Sequence, residues 1–214
     1  MLTIDALARE ANAFAERESI YDEPLLFGIT DGKAIGTYIE HKFTSYLAEH
    51  YDYEMGNSAS GIDIPGLNVD IKVTSVRQPQ SSCPFRSASQ KIYGLGYHLL
   101  IFVYAKCDDH LNKTARLDMQ HVVFVEQSRT ADYQTTRGLL NILERGGNED
   151  DIVAFIFERN LPVEEIEAYR LAEQIMREPP AEGSLTISNA MQWRLQYGRV
   201  IQQAGAVDGV WRVR

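Results

Sequence analysis

Three short, unbroken apolar runs constrain the fold of this chain more than any other feature: Leu99–Ala105 (LLIFVYA), His121–Val125 (HVVFV) and Val153–Phe157 (VAFIF). A strand with one wet face alternates apolar and polar residues, so runs without alternation suit strands covered on both faces. Helical periods lie before and between them. Leu2, Ile4, Leu7, Ala11, Phe14 and Ala15 predict a helix over residues 2–18, capped by Thr3 or Asp5. Ala34, Ile35, Tyr38, Ile39, Phe43, Tyr46 and Leu47 predict a second from Asp31 to His50, and Tyr133, Leu139, Leu140, Ile142 and Leu143 a third within Asp132–Arg145. Interleaved strands and helices make the expected class α/β, a central mixed β-sheet flanked by helices.

Beyond the third run, Glu164 and Glu165 open a further helix, where the helix dipole favours carboxylates. Pro179-Pro180 and Gly183 then mark a linker. The expected division is a core over residues 1–178 and an appendage over 184–214. In the appendage Ile187–Gln203 reads as helical, with Met191, Leu195 and Ile201 on one side, and VWRVR as a strand. Tyr21–Ile29 reads as an irregular connection, and Trp193 and Trp211 as packing residues. With 44% hydrophobic residues in 214, the chain can bury a substantial core, and it has no apolar run long enough to span a bilayer. Its acidic N-terminus lacks a basic-then-apolar leader pattern, so a cytoplasmic location is expected. Two cysteines, Cys83 and Cys107, are too few for a disulfide framework, and no CxxC spacing pairs them with His98 or His110 around zinc.

The chemistry concentrates in Gly61–Ser75, GIDIPGLNVDIKVTS. Pro65-Gly66 is a turn-forming dipeptide between two short extended segments. In the second segment Val69, Ile71 and Val73 alternate with Asp70, Lys72 and Thr74, so Asp70 and Lys72 share one face. Asp63, on the first segment, folds back beside Asp70. Two carboxylates on a rigid strand pair suit a hard cation such as Mg²⁺, which takes oxygen ligands and accepts phosphate as a co-ligand. A lysine beside them can orient a water and offset charge developing on a phosphate.

The pattern Asp63…Asp70-Ile71-Lys72 resembles the PD-(D/E)XK nuclease superfamily, and in particular its type II restriction endonucleases. Ile62 stands where the superfamily's name expects proline, a position that is not a ligand. The segment GTYIEHKF, with Gly36 and Glu40 four residues apart, resembles the helix that precedes the active site in many of these nucleases. The resemblance implies a DNA phosphodiester hydrolase using one or two Mg²⁺ ions. Asp63, Asp70 and the Ile71 carbonyl would be ligands, Lys72 would orient the attacking water, and Glu40 would complete a second metal site or hold a water. It further implies double-stranded DNA as partner and a homodimer, in which each subunit cuts one strand of a palindromic site.

A net charge of −9, from 21 basic and 30 acidic residues, argues against a nucleic-acid partner. The distribution answers it in part: Ile71–Cys107 contains no Asp or Glu, yet holds Lys72, Arg77, Arg86, Lys91 and Lys106. Within it Arg77, Gln78, Gln80, Ser81, Ser82, Arg86, Gln90 and Lys91 form a donor-rich segment suited to base edges or phosphates. Ser58 and Ser60 offer further hydroxyls, and the appendage is expected to contact DNA or to dimerise. Two other readings stay open: a structure-specific or repair nuclease of the same superfamily, and a non-enzymatic α/β binding protein. No Ser-His-Asp set, phosphate-binding glycine loop or dinucleotide fingerprint is present.

Overall fold

The apolar runs meet different fates. In the computed structural model, which describes residues 1–54, 56, 61–83, 86–188 and 193–214, the first two become paired strands and the third becomes a helix. In chain order the elements are α1 (Ile4–Ile20), β1 (Asp22–Glu23), α2 (Gly32–His50), β2 (Val69–Ser75), β3 (Gln80–Cys83), α3 (Ser89–Tyr93), β4 (His98–Asp109) and β5 (Thr114–Val125). There follow α4 (Tyr133–Glu144), α5 (Glu149–Glu158), α6 (Glu165–Arg177), β6 (Thr186–Ile187), β7 (Trp193–Gln196), α7 (Gly198–Gln203) and β8 (Val210–Arg212).

The central sheet has the order β1-β5-β4-β2, with β8 also pairing β5. β2 runs parallel to β4 and the other pairs are antiparallel, so the sheet is mixed as expected. β4 alternates its side chains between two cores. Leu100, Phe102 and Tyr104 pack under α1 and α2, whereas Leu99, Ile101 and Val103 pack against Leu185, Ile187, Trp193, Leu195 and Tyr197. Coverage on both faces is why these strands read as unbroken apolar runs. Both strands extend beyond those runs, because Lys106–Asp109 and Thr114–Leu117 still pair with each other. Among the described residues no helix is long and apolar enough to cross a membrane.

Caps place the helices. Thr3 Oγ1 accepts from the Ala6 N–H at the start of α1, and Asp31 from Lys33 at the start of α2. Val153–Phe157, expected as a strand, lies in α5. Asn148 and Asp151 form a reciprocal capping box before it, and Ile152, Val153 and Ile156 are buried while Phe157 is exposed. That spacing is helical; a short apolar run without alternation satisfies either period. Where a helix was expected over Ile187–Gln203, the described residues form the end of β6, then β7 and the short α7. Trp193, Leu195 and Tyr197 are buried while Arg194 and Gln196 are exposed, a period of two that makes β7 a strand. Tyr21–Ile29 is more ordered than expected, since β1 pairs with β5 and Pro24–Leu26 forms a 3₁₀ turn. Trp193 and Trp211 pack as expected, Trp193 inside the second core and Trp211 against Phe124. Ser58, Ser60 and Met191 lie outside the described residues.

Candidate active site

The site forms where β2 meets α2 and the segment folded back before β2. Gly36 lets α2 approach β2: a Cβ there would lie 3.8 Å from the Val73 carbonyl oxygen and 3.9 Å from its Cβ, so the helix sits at van der Waals range. One helical turn later Glu40 faces the same strand. On the other side, Ile64 bridges Val69 across the Pro65–Leu67 turn, which Asn68 closes in the left-handed region at φ 54°. This brings Asp63 beside Asp70. The Gly56 N–H donates to the Asp63 carbonyl at 2.8 Å. A Cβ at Gly56 would lie 1.9 Å from the Ile62 carbonyl oxygen, so only glycine fits that approach.

Three carboxylates and one ammonium converge. Asp63 Oδ2 accepts the Ile71 N–H at 2.6 Å, and Lys72 Nζ lies 2.7 Å from Asp70 Oδ2. Asp70 is only 4% exposed, and burial pushes its carboxyl up to about 7 in spite of the Lys72 ammonium. Burial also raises the Glu40 carboxyl, and the Asp63 charge adds to it, against Lys72 and His41. Glu40 and Asp70 each favour a proton donated to Asp63. Carboxylates this close cannot all stay charged unless something positive neutralises them, and a cation can take the place of those protons. Among the described residues no three His, Cys, Asp or Glu side chains already stand around one point as a complete cage. Two carboxylates with waters nonetheless suit Mg²⁺, which seldom uses an all-protein cage.

These four side chains line one cleft of about 570 Å³ with Ser82, Arg86, Gln90 and Tyr97. A wider groove of about 1280 Å³ adjoins it, sharing Glu40, Lys72 and Ser82 and adding Arg77, Gln78, Gln80 and Ser81. Seven of the eight donors expected to meet DNA therefore line these two spaces. Lys91 does not: it is 3% exposed, and its ammonium stands 5.4 Å from the centre of the Trp193 ring. Burial lowers its affinity for a proton, with Asp132 opposing, and a side chain so enclosed offers nothing to a phosphate in solvent. The groove also holds Lys106 of the acid-free window, Arg194 of the appendage, and Lys33, which sequence reasoning did not single out. The alternation W-R-L-Q-Y over 193–197 was the signal for Arg194; Gly56 carried none.

A family model described as type II restriction enzyme NspV matches residues 1–212. The chain is also similar to a curated protein, the type II restriction enzyme NspV of a Nostoc species, at 63% identity over 213 residues, spanning 100% of this chain and 97% of the relative. No solved structure matches the chain.

Proposed function

The chain belongs to the NspV family of type II restriction enzymes, and from that premise we propose a Mg²⁺-dependent endonuclease of the PD-(D/E)XK type that cuts double-stranded DNA at a fixed sequence. The observation that carries the proposal is the convergence of Glu40, Asp63 and Asp70 with Lys72 on one cleft that opens onto a groove lined by hydrogen-bond donors. Asp63 and Asp70 would hold the metal, with the Ile71 carbonyl and Glu40 as additional oxygen donors. When bound, Mg²⁺ supplies a Lewis acid for the phosphate and lowers the pKa of water.

The chain's own residues do the rest. The Ile71 N–H and the Gly56–Asp63 backbone contact hold Asp63 in place at the cleft, without a search over rotamers. Asp70 keeps the Lys72 ammonium at the cleft floor, 23% exposed, where it can orient a water and stabilise charge on a phosphate oxygen. Arg77, Gln78, Gln80, Ser82, Arg86 and Gln90 would hold the duplex across the groove, whereas the Ser81 hydroxyl turns to the buried Tyr197 hydroxyl on the core side of β3. Two copies, each cutting one strand of a palindromic site, would account for a double-strand break.

The test is digestion of plasmid and phage DNA in Mg²⁺ by the wild type and Lys72→Ala. Discrete fragments that disappear in the variant support the proposal. A smear that disappears would leave a nuclease without sequence specificity, and identical discrete fragments from both proteins would remove Lys72 from the mechanism. Sedimentation with and without a cognate duplex tests the dimer.

A further inference from the structure

The small antiparallel sheet β3-β7-β6 has two faces of opposite chemistry. Its register pairs Cys83 with Trp193, Ser81 with Leu195 and Ile187 with Leu195, and this face closes the second core. The other face pairs Gln80 with Gln196 and Ser82 with Arg194, with Thr186 beside Gln196. Ser82, Arg194 and Gln196 are exposed and Gln80 is half-buried. Among the described residues Arg194 has no ion-pair partner within 4.0 Å. Gln80, Ser82 and Arg194 line the wide groove, and Ser82 also lines the carboxylate cleft, so the ribbon borders both.

We propose that this outer face, with Arg194 and Gln80 as its main readers, enters the major groove of DNA and reads base edges. The inference rests on the chain being a site-specific endonuclease and names the element that confers the specificity. A two-stranded antiparallel ribbon fits the major groove, where an arginine fork matches guanine O6 and N7 and a glutamine amide matches adenine N6 and N7. The apolar face beneath holds the backbone in place, so the readers lose little freedom on binding. The ribbon is also tied to the catalytic strand. The Thr74 hydroxyl, two residues past Lys72, accepts the Gln80 N–H at 3.0 Å and lies 3.1 Å from the Gln80 carbonyl and 3.2 Å from that of Gln78. Where the ribbon reads therefore sets where the cleft cuts.

The experiment compares wild type, Arg194→Ala, Arg194→Lys and Gln80→Ala. Sequencing fragment ends from wild-type digests defines the site. Affinity is then measured by fluorescence anisotropy in Ca²⁺ for duplexes with that site and with a scrambled one, at two salt concentrations. Wild type that yields no discrete fragments would remove the premise and the ribbon's role with it. Given discrete fragments, Arg194→Ala should lower the preference for the site by about 10- to 100-fold. Scrambled-duplex affinity and the salt slope should stay close to wild type. Arg194→Lys should not rescue, because an ammonium lacks the fork, and Gln80→Ala should relax selectivity at a different base pair. Equal loss on both duplexes with a shallower salt slope, or rescue by lysine, would make Arg194 a phosphate contact and overturn the proposal. Unchanged preference in both alanine variants would overturn it too. Coincident thermal melts show that the ribbon still folds.

Discussion

β2 and β4 lie side by side, parallel and in register, Asp70 beside Leu99 and Lys72 beside Ile101. β4 lies inside the sheet and β2 at its edge, and their chemistry is opposite. From Leu99 to Val103 every β4 side chain is apolar and fully buried. β2 keeps a carboxylate that is 4% exposed and, 2.7 Å away, an ammonium that lines the cleft. Burying charge costs free energy, and replacing a buried pair by well-packed apolar groups is often neutral or stabilising. β4 is built for packing, and the proposed role of β2 would trade stability for reactivity.

Four substitutions would break or sharpen this contrast, from the largest expected effect to the smallest. Lys72→Ala should slow single-turnover cleavage by ~10³- to 10⁴-fold, about 4 to 5.5 kcal/mol of transition-state stabilisation, while duplex affinity stays within a few-fold. Phe102→Ala on β4 should do the reverse. Its ring packs 5.1 Å from Phe43 and 5.9 Å from Phe14, so urea denaturation should show a loss of ~3–5 kcal/mol, with normal cleavage by the protein that remains folded. If that variant also lost its chemistry at full occupancy of the folded state, the division between the strands would fail.

Gly56→Ala should combine both effects, because the added methyl must push against the Ile62 carbonyl and so move Asp63. A stability loss of ~1–3 kcal/mol is expected, with reduced cleavage, read in the same two assays. The smallest effect concerns pH. The Asp70 carboxyl titrates near 7 in the fold, above its ordinary 3.8, so the folded state binds the proton more tightly than the unfolded chain does. Stability from this group is full below about pH 4 and is lost as pH rises towards 7. In metal-free buffer the denaturation free energy should fall over that window, on the order of 1–2 kcal/mol because the Lys72 ammonium offsets part of the burial penalty on Asp70. Asp70→Asn should flatten the slope, and an unchanged slope would show that the buried charge carries no such cost.

Much of the site was legible in the residues themselves. Alternation along β2 is local, so Asp70 and Lys72 share a face whichever strand lies alongside, and the turn at Pro65-Gly66 brings Asp63 back to them. Gly36 and Glu40, one helical turn apart, pointed to the α2 contribution. Lys91 misled because a lysine in a polar stretch gives no sign that Trp193, far away in sequence, will cover it. Gly56 gave no sign either, since its role depends on the approach of another backbone.

By itself the sequence determined the features governed by neighbours along the chain: the capped helices α1, α2 and α4, the amphipathic α6 with its acidic first turn, the period-two face of β2, and the acid-free window around the cleft. Only the tertiary structure decided that α5 packs on α6, that β3 finds β7 so that Gln80, Ser82 and Arg194 share an outer face, and that residues of β6 and β7 complete the second core. The physical reason is that a strand's hydrogen bonds are made to a partner that can lie anywhere in the chain. A helix satisfies its own backbone within four residues, so its limits are written locally.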